Sequence, residues 1–367
     1  MENKINQFDS EQVKKQLADK PPKNIDNLYD PFKKEQILNY STSADVDPFG
    51  VKYRHYGVDV RDFLHEYKDD SITFDDVCGM AREKKIVSEI CTVDENEDFY
   101  DLTNYRPRGV FLFYGVPGVG KTLLANAVLA EVRRQSDGKT PTYILDNARV
   151  FDCRAGATER NVNAICKFIK EHEKFVLFID EIDRIAYDKY HVTYEEDRAI
   201  EAILDMLASI SLTQGKTAIC ATCKPYVLDK RAVLIADVMI EFFLPDSKTA
   251  YAMLEKKLGG KLAFDVDLRS VANRLVESKC THRGIKCFLD YTIDLLANEF
   301  MKDREQGITQ GFDEYLVTNA MIEKAFSEGV ISMDEESLIR MSKFRNKLEL
   351  NCNYGYFTPC VKEISTY

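Results

Sequence analysis

The stretch Gly115-Val116-Pro117-Gly118-Val119-Gly120-Lys121-Thr122 constrains this chain more than any other. It reads G-x-x-x-x-G-K-T. An apolar run, Val110 to Tyr114, comes before it, and a helix-forming run, Leu123 to Glu131, comes after. A strand that enters a glycine-rich loop and leaves as a helix is the setting this pattern requires. The glycines let the backbone curl until its N–H groups converge on an anion, and the helix turns its positive end toward the same point. Lys121 is long enough to reach terminal phosphates, and the Thr122 hydroxyl is a hard oxygen suited to magnesium. The chain is therefore expected to cradle a nucleotide triphosphate.

The rest of the chain fits an α/β protein built around that loop. Further strands are expected at Thr142 to Leu145, Phe175 to Ile179, Thr217 to Thr222 and Met239 to Leu244. Helices are expected at Ala81 to Cys91, Asn161 to Glu173 and Arg198 to Ile210. Continuous apolar strands alternating with helices imply a mainly parallel sheet covered on both faces. After Pro245 the strand signals stop, and helices follow at 249–258, 268–278, 284–302 and 318–327, with another at 332–350. This gives an irregular N-terminal arm over 1–70, an α/β domain over 71–246, a small all-helical lid over 247–335, and a C-terminal helix and aromatic tail over 336–367. In the arm a short helix is expected at 12–19, with turns at 30–32 and 47–50. The arm's recurring Tyr and Phe suit either packing on the main domain or docking a partner.

The run Phe175 to Asp183 ends an apolar strand in carboxylates, the arrangement that places a site at the C-terminal edge of a parallel sheet. Asp180 is placed to hold magnesium with Thr122. Glu181 is placed to orient a water and take its proton as it attacks a γ-phosphate.

Composition narrows the remaining choices. The 367 residues carry 50 basic and 61 acidic side chains, a net charge of −11, which argues against a broad nucleic-acid surface. Neither a signal pattern at the N-terminus nor an apolar run long enough to span a bilayer is visible, so a cytoplasmic location is expected. The ten cysteines are scattered. Cys220-Ala221-Thr222-Cys223 has no second pair to complete a metal site, so a buried structural role is expected for Cys220.

Phe74-Asp75-Asp76-Val77-Cys78-Gly79, Gly115 to Thr122, Val176 to Asp183 and Ala221 to Asp229 together resemble an AAA-type ATPase over about 71–335. The likeness is nearest to the branch of AAA zinc-protease modules, proteasomal ATPases and microtubule-severing enzymes. No H-E-x-x-H occurs, which rules out a zinc protease of that kind. The resemblance implies Mg²⁺ and ATP as ligands. Asp76, Val77 and Gly79 would lie on the adenine side, Pro117 through Leu123 around the phosphates, and Arg283, in Thr281-His282-Arg283-Gly284, at a lid position that contacts the γ-phosphate in other branches. A surface role for Arg283 is the alternative. It also implies an oligomer, homomeric (a hexameric ring is the family pattern) or heteromeric, acting on a protein partner.

Three positions depart from that pattern. Cys223 stands where the family has a polar sensor, usually Asn, that holds the attacking water, and Thr222 is a possible substitute. Only Arg231 is available where the family keeps two finger arginines. Arg154 replaces the pore-loop aromatic, for which Tyr187, Tyr190 and Tyr194 are alternatives. The expected activity is ATP hydrolysis coupled to remodelling of a protein. The alternative is a slow, nucleotide-gated scaffold or a weakened subunit of a hetero-oligomer.

Overall fold

The computed structural model describes residues 54–55, 57–92, 107–150, 152, 156–188, 194–308, 311, 314–329 and 332–353. The helix expected at 12–19, the turns at 30–32 and 47–50, Arg154, Tyr190 and the aromatic tail lie outside them.

Val110–Gly115 is the central strand. Each of its residues is buried, as a strand covered on both faces must be. Counting from the N-terminus, the strands are β1 Arg54–His55, β2 Val58–Asp59, β3 Leu64–Glu66, β4 Val110–Gly115, β5 Thr142–Leu145, β6 Phe175–Ile179, β7 Lys216–Thr222 and β8 Val238–Phe242. β1 and β2 form a small antiparallel pair. The other six make one sheet in the order β3-β5-β6-β7-β4-β8. All neighbours in it run parallel except β3, which pairs antiparallel with β5 through Leu64 opposite Leu145. β3 departs from expectation, since it lies in a region read as irregular. Three residues are too few to show a period of two in sequence, and Phe63 and Leu64 are buried in the main core.

The helices are α1 Ala81–Cys91, α2 Lys121–Gln135, α3 Asn147–Val150, α4 Ala157–Glu171, α5 Tyr194–Ser211 and α6 Lys230–Ile235 around the sheet. Then come α7 Ser247–Leu258, α8 Leu268–Glu277, α9 His282–Glu305, α10 Asn319–Glu328 and α11 Glu335–Asn353. Starts of the later helices are written in their caps. Asp246, Asp267, Thr281 and Thr318 each accept a backbone N–H of the first turn. Two apolar cores result. One holds the sheet and α1 to α6. The other joins α7 to α10 through Leu254, Leu258, Leu275, Ile285, Phe288 and Ile322. Each large side chain fully buried in these cores contributes about 1.5–3 kcal/mol.

α11 follows the second core in sequence but packs on the first, through Met341 and Leu348. Phe344 meets the Tyr114 ring edge-on at 5.5 Å. Arg345 forks onto Glu241, a carboxylate on β8 that is 4% exposed. Among the described residues no helix is long and apolar enough to cross a membrane.

Candidate functional site

β4 is flanked by β7 on one side and β8 on the other, so the chain leaves it at the point where strand order reverses. Loops after the strands diverge there and leave a crevice. The loop after β4 turns through Gly115, Gly118 and Gly120, with φ of 155°, 80° and 95°. The close approach at Gly118 also demands glycine. A Cβ there would stand 2.8 Å from Thr281 Oγ1 and 3.0 Å from the Arg283 Cβ. Val119 is buried beneath the loop, while Pro117, Thr122 and Leu123 face outward.

Lys121 is 5% exposed. Its ammonium donates to Gly115 O at 2.8 Å and Val116 O at 3.0 Å, and lies 3.2 Å from Cys223 Sγ at the end of β7. The Thr122 hydroxyl donates to Asp180 Oδ2 at 2.8 Å. Parallel pairing of β4 with β7 and of β7 with β6 brings these ends together.

Glu181 follows Asp180 in the left-handed region, φ 48° and ψ 48°, a conformation that costs a residue with a Cβ. Two contacts hold it. Its N–H donates to Asp180 Oδ1 at 2.9 Å, and Asn147 Nδ2 of α3 donates to the carbonyls of both Asp180 and Glu181. The turn swings the Glu181 carboxylate away from β6, where Arg184 Nε meets it at 2.6 Å with both side chains about half exposed.

Residues 76–80 close the other side. Asp76 accepts from Thr73 N–H and Oγ1, both at 3.0 Å, and pairs with Lys256 of α7 at 3.0 Å. The Lys256 ammonium, with the Thr73 bonds, brings the Asp76 carboxyl down to about 2. Val77 is buried. Gly79 has φ 69°, and a Cβ there would run into Thr249 on α7. A Cβ on Gly120 would meet Met80 Cε at 2.6 Å. Thr281 begins α9 beside the loop, and the Arg283 N–H donates to Gly118 O at 2.9 Å. The Arg283 side chain is exposed. His282 has both ring nitrogens shut off from solvent and without partners among the described residues. That burial drives it down to about 4, against a smaller upward pull from Asp246.

The remaining expected positions are less convergent. Arg231 forks back onto Asp229 at 3.1 and 2.9 Å, within the first turn of α6, with Glu201 3.8 Å away. Its pairing is therefore with its own chain. Thr222 cannot readily stand in for a sensor, since its hydroxyl donates to Asp183 at 2.6 Å and accepts from the Lys224 N–H. Tyr187 packs half-buried on the core beside Leu228. Cys220 is fully buried and its thiol is pushed up to about 12 by desolvation, in keeping with a structural role. Sequence reasoning missed Asn147, Arg184 and His282. The first two are ordinary polar residues with no motif of their own. His282 stood inside a quoted motif, but only its burial without partners distinguishes it.

Residues 111–245 match the family described as ATPase family associated with various cellular activities (AAA). The chain is similar to a 26S proteasome regulatory subunit homologue of Methanothermobacter thermautotrophicus, 32% identical over 212 residues, covering 56% of this chain and 54% of that protein. It is similar to a cell division cycle protein 48 homologue of Archaeoglobus fulgidus, 32% identical over 210 residues, 55% of this chain and 27% of that one. An ATP-dependent zinc metalloprotease FtsH of Aquifex aeolicus is 30% identical over 210 residues, 55% of this chain and 32% of that one. The chain thus spans about half the length, or less, of these curated relatives.

Proposed function

Residues 111–245 form a domain of the AAA family of ATPases, and on that premise we propose that the chain binds Mg-ATP, hydrolyses it, and uses the cycle to remodel a protein partner as an oligomer. The observation that carries this is the 2.8 Å bond from Thr122 to Asp180, beside a Lys121 ammonium buried in the loop. A hydroxyl and a carboxylate held together at the start of a helix suit magnesium, and a buried ammonium with three donors suits phosphate oxygens. Thr122 and Asp180 would hold the metal, which would supply positive charge to offset that of the phosphates. Loop N–H groups and Lys121 bind and orient the phosphates.

Glu181 then takes a proton from a water whose oxygen attacks the γ-phosphorus. The bond from that phosphorus to the β–γ bridging oxygen breaks, and ADP leaves with that electron pair. The left-handed turn gives Glu181 a different heading from Asp180, so neighbouring carboxylates serve two roles. Asp76, Val77 and Gly79, with the start of α9, would border the base.

A ring of identical or mixed subunits and a cytoplasmic setting belong to the same reading. One set of observations favours the slower alternative. Cys223 offers water a weak partner, Thr222 is engaged elsewhere, and Arg231 is tied to Asp229. In that case the chain is a nucleotide-gated scaffold or a weakened subunit.

Nucleotide titration with and without Mg²⁺ tests the core of the proposal. Lys121→Ala is expected to lose ATP binding while keeping its fold; unchanged affinity would sink the assignment. Turnover per subunit measured against protein concentration separates the two readings. A rise with concentration supports the oligomeric hydrolase, and a flat, slow rate supports the scaffold.

A further inference from the structure

A groove of about 840 Å³ opens between α11 and the segment that follows β7, and it is lined by none of the residues assigned to nucleotide. Its floor is apolar, with Leu228, Val233, Phe344 and Leu348. Its lip leaves large apolar side chains in water. Leu234 on α6 is 60% exposed, and Tyr226 stands beside it.

The charges around this groove are one-sided. Lys230, Arg340, Lys343 and Lys347 line it, against one acid, Asp188. Arg340 is partly occupied, paired with Glu336 and lying over the Tyr226 ring. Lys230, Lys343 and Lys347 have no ion pair among the described residues. Arg340, Lys343 and Lys347 are spaced three and four apart on α11, so they form one stripe down a helix face. Like charges at that spacing repel one another and weaken a helix. A chain with a net charge of −11 nevertheless keeps this stripe beside exposed apolar surface.

We propose that this groove docks an acidic segment of a partner protein, one that presents aliphatic or aromatic side chains to the floor and carboxylates to Lys230, Lys343 and Lys347. Apolar anchors supply the affinity, and the lysines set orientation and select against basic or neutral sequences. A nucleic acid would satisfy the cations but leave the aliphatic floor without a match.

The test uses the full chain and fluorescein-labelled peptide pools about four helical turns long. One pool mixes Asp and Glu with Leu, Ile and Phe. A second replaces the apolar residues with Ser, and a third replaces the acids with Lys. Anisotropy titration is expected to show saturable binding of the first pool only, weakening as salt rises through the range where the Debye length falls below about 8 Å. Lys343→Glu combined with Lys347→Glu is expected to weaken that binding about tenfold or more. Leu234→Ser, on an exposed side chain that the fold does not need, is expected to weaken it similarly and serves if the charge reversal perturbs α11. Equal binding of the Ser pool or the Lys pool, or full binding by both variants, overturns the proposal. So does displacement of the first pool by a single-stranded oligonucleotide at lower concentration than by unlabelled acidic peptide. If no pool binds while the double variant shifts the sedimentation coefficient of the protein alone, the groove is a contact between copies of this chain and the proposal fails.

Discussion

Glu181 is both the expected base and a strained residue, so one position tests two arguments. Its φ of 48° and ψ of 48° place a side chain with a Cβ in the left-handed region. That conformation costs about 1–2 kcal/mol in a residue other than glycine, and Asn tolerates it best of the rest. The ion pair with Arg184 returns little. Both partners are about half exposed, and such pairs contribute about 0–1 kcal/mol. Glu181→Gln keeps side-chain length and backbone strain but cannot take a proton. Glu181→Asn removes the base and also relieves the strain. Both variants are expected to bind ATP and to lose about 10²–10⁴ in turnover, the usual contribution of a positioned base. In urea unfolding without nucleotide, the Asn variant is expected to exceed the Gln variant by about 1 kcal/mol, and to match or exceed the parent chain. A gain in stability with a loss of turnover is the pattern expected where strain is kept for function. Two results would refute the reasoning. Turnover near the parent level in both variants would remove Glu181 as the base. An Asn variant less stable than the Gln variant would mean that the backbone is not what strains this turn.

Other expectations follow from single contacts. Cys223→Asn gives water an amide in place of a thiol and is expected to raise turnover with ATP binding intact; a flat or lower rate would end the degraded-sensor reading. His282 is driven from the ordinary histidine value of 6.5 to about 4. The unfolded chain therefore binds the extra proton between those values, and stability falls as pH drops through that window, by about 3 kcal/mol at its lower end. His282→Gln should flatten this part of the pH–stability curve, and an unchanged slope would show that the ring is not desolvated as described. Arg345→Met leaves Glu241 buried and without its cation, and is expected to cost about 3–5 kcal/mol in urea unfolding, much of it recovered by adding Glu241→Gln. A loss under 1 kcal/mol would show that α11 is not anchored by this pair.

Local chemistry along the sequence was enough for the framework. Buried parallel strands are mostly apolar, so β4 and β6 read directly as runs, and β7 and β8 nearly so despite Thr217, Thr222 and Glu241. A loop that binds phosphate must put glycines at fixed offsets, so Gly115 to Thr122 needed no neighbour to be recognised. Asp180 and Glu181 follow a strand end. Each of these signals lies within a few residues of what it specifies.

Strand order decided the rest, because it determines which distant ends meet. It set Cys223 3.2 Å from Lys121, Thr222 on Asp183, and Asn147 on the carbonyls of Asp180 and Glu181. None of these pairs shares a local pattern, and each depends on the order β5-β6-β7-β4. The same is true of α11. Its sequence shows a charged helix after a helical region, but the contact of Arg345 with the buried Glu241 on β8, together with Met341, Phe344 and Leu348 on the main core, brings it back to the sheet and leaves Lys343 and Lys347 facing outward. A buried carboxylate needs a charged partner, and which of the chain's 50 cations supplies it is settled by packing, not by spacing along the chain.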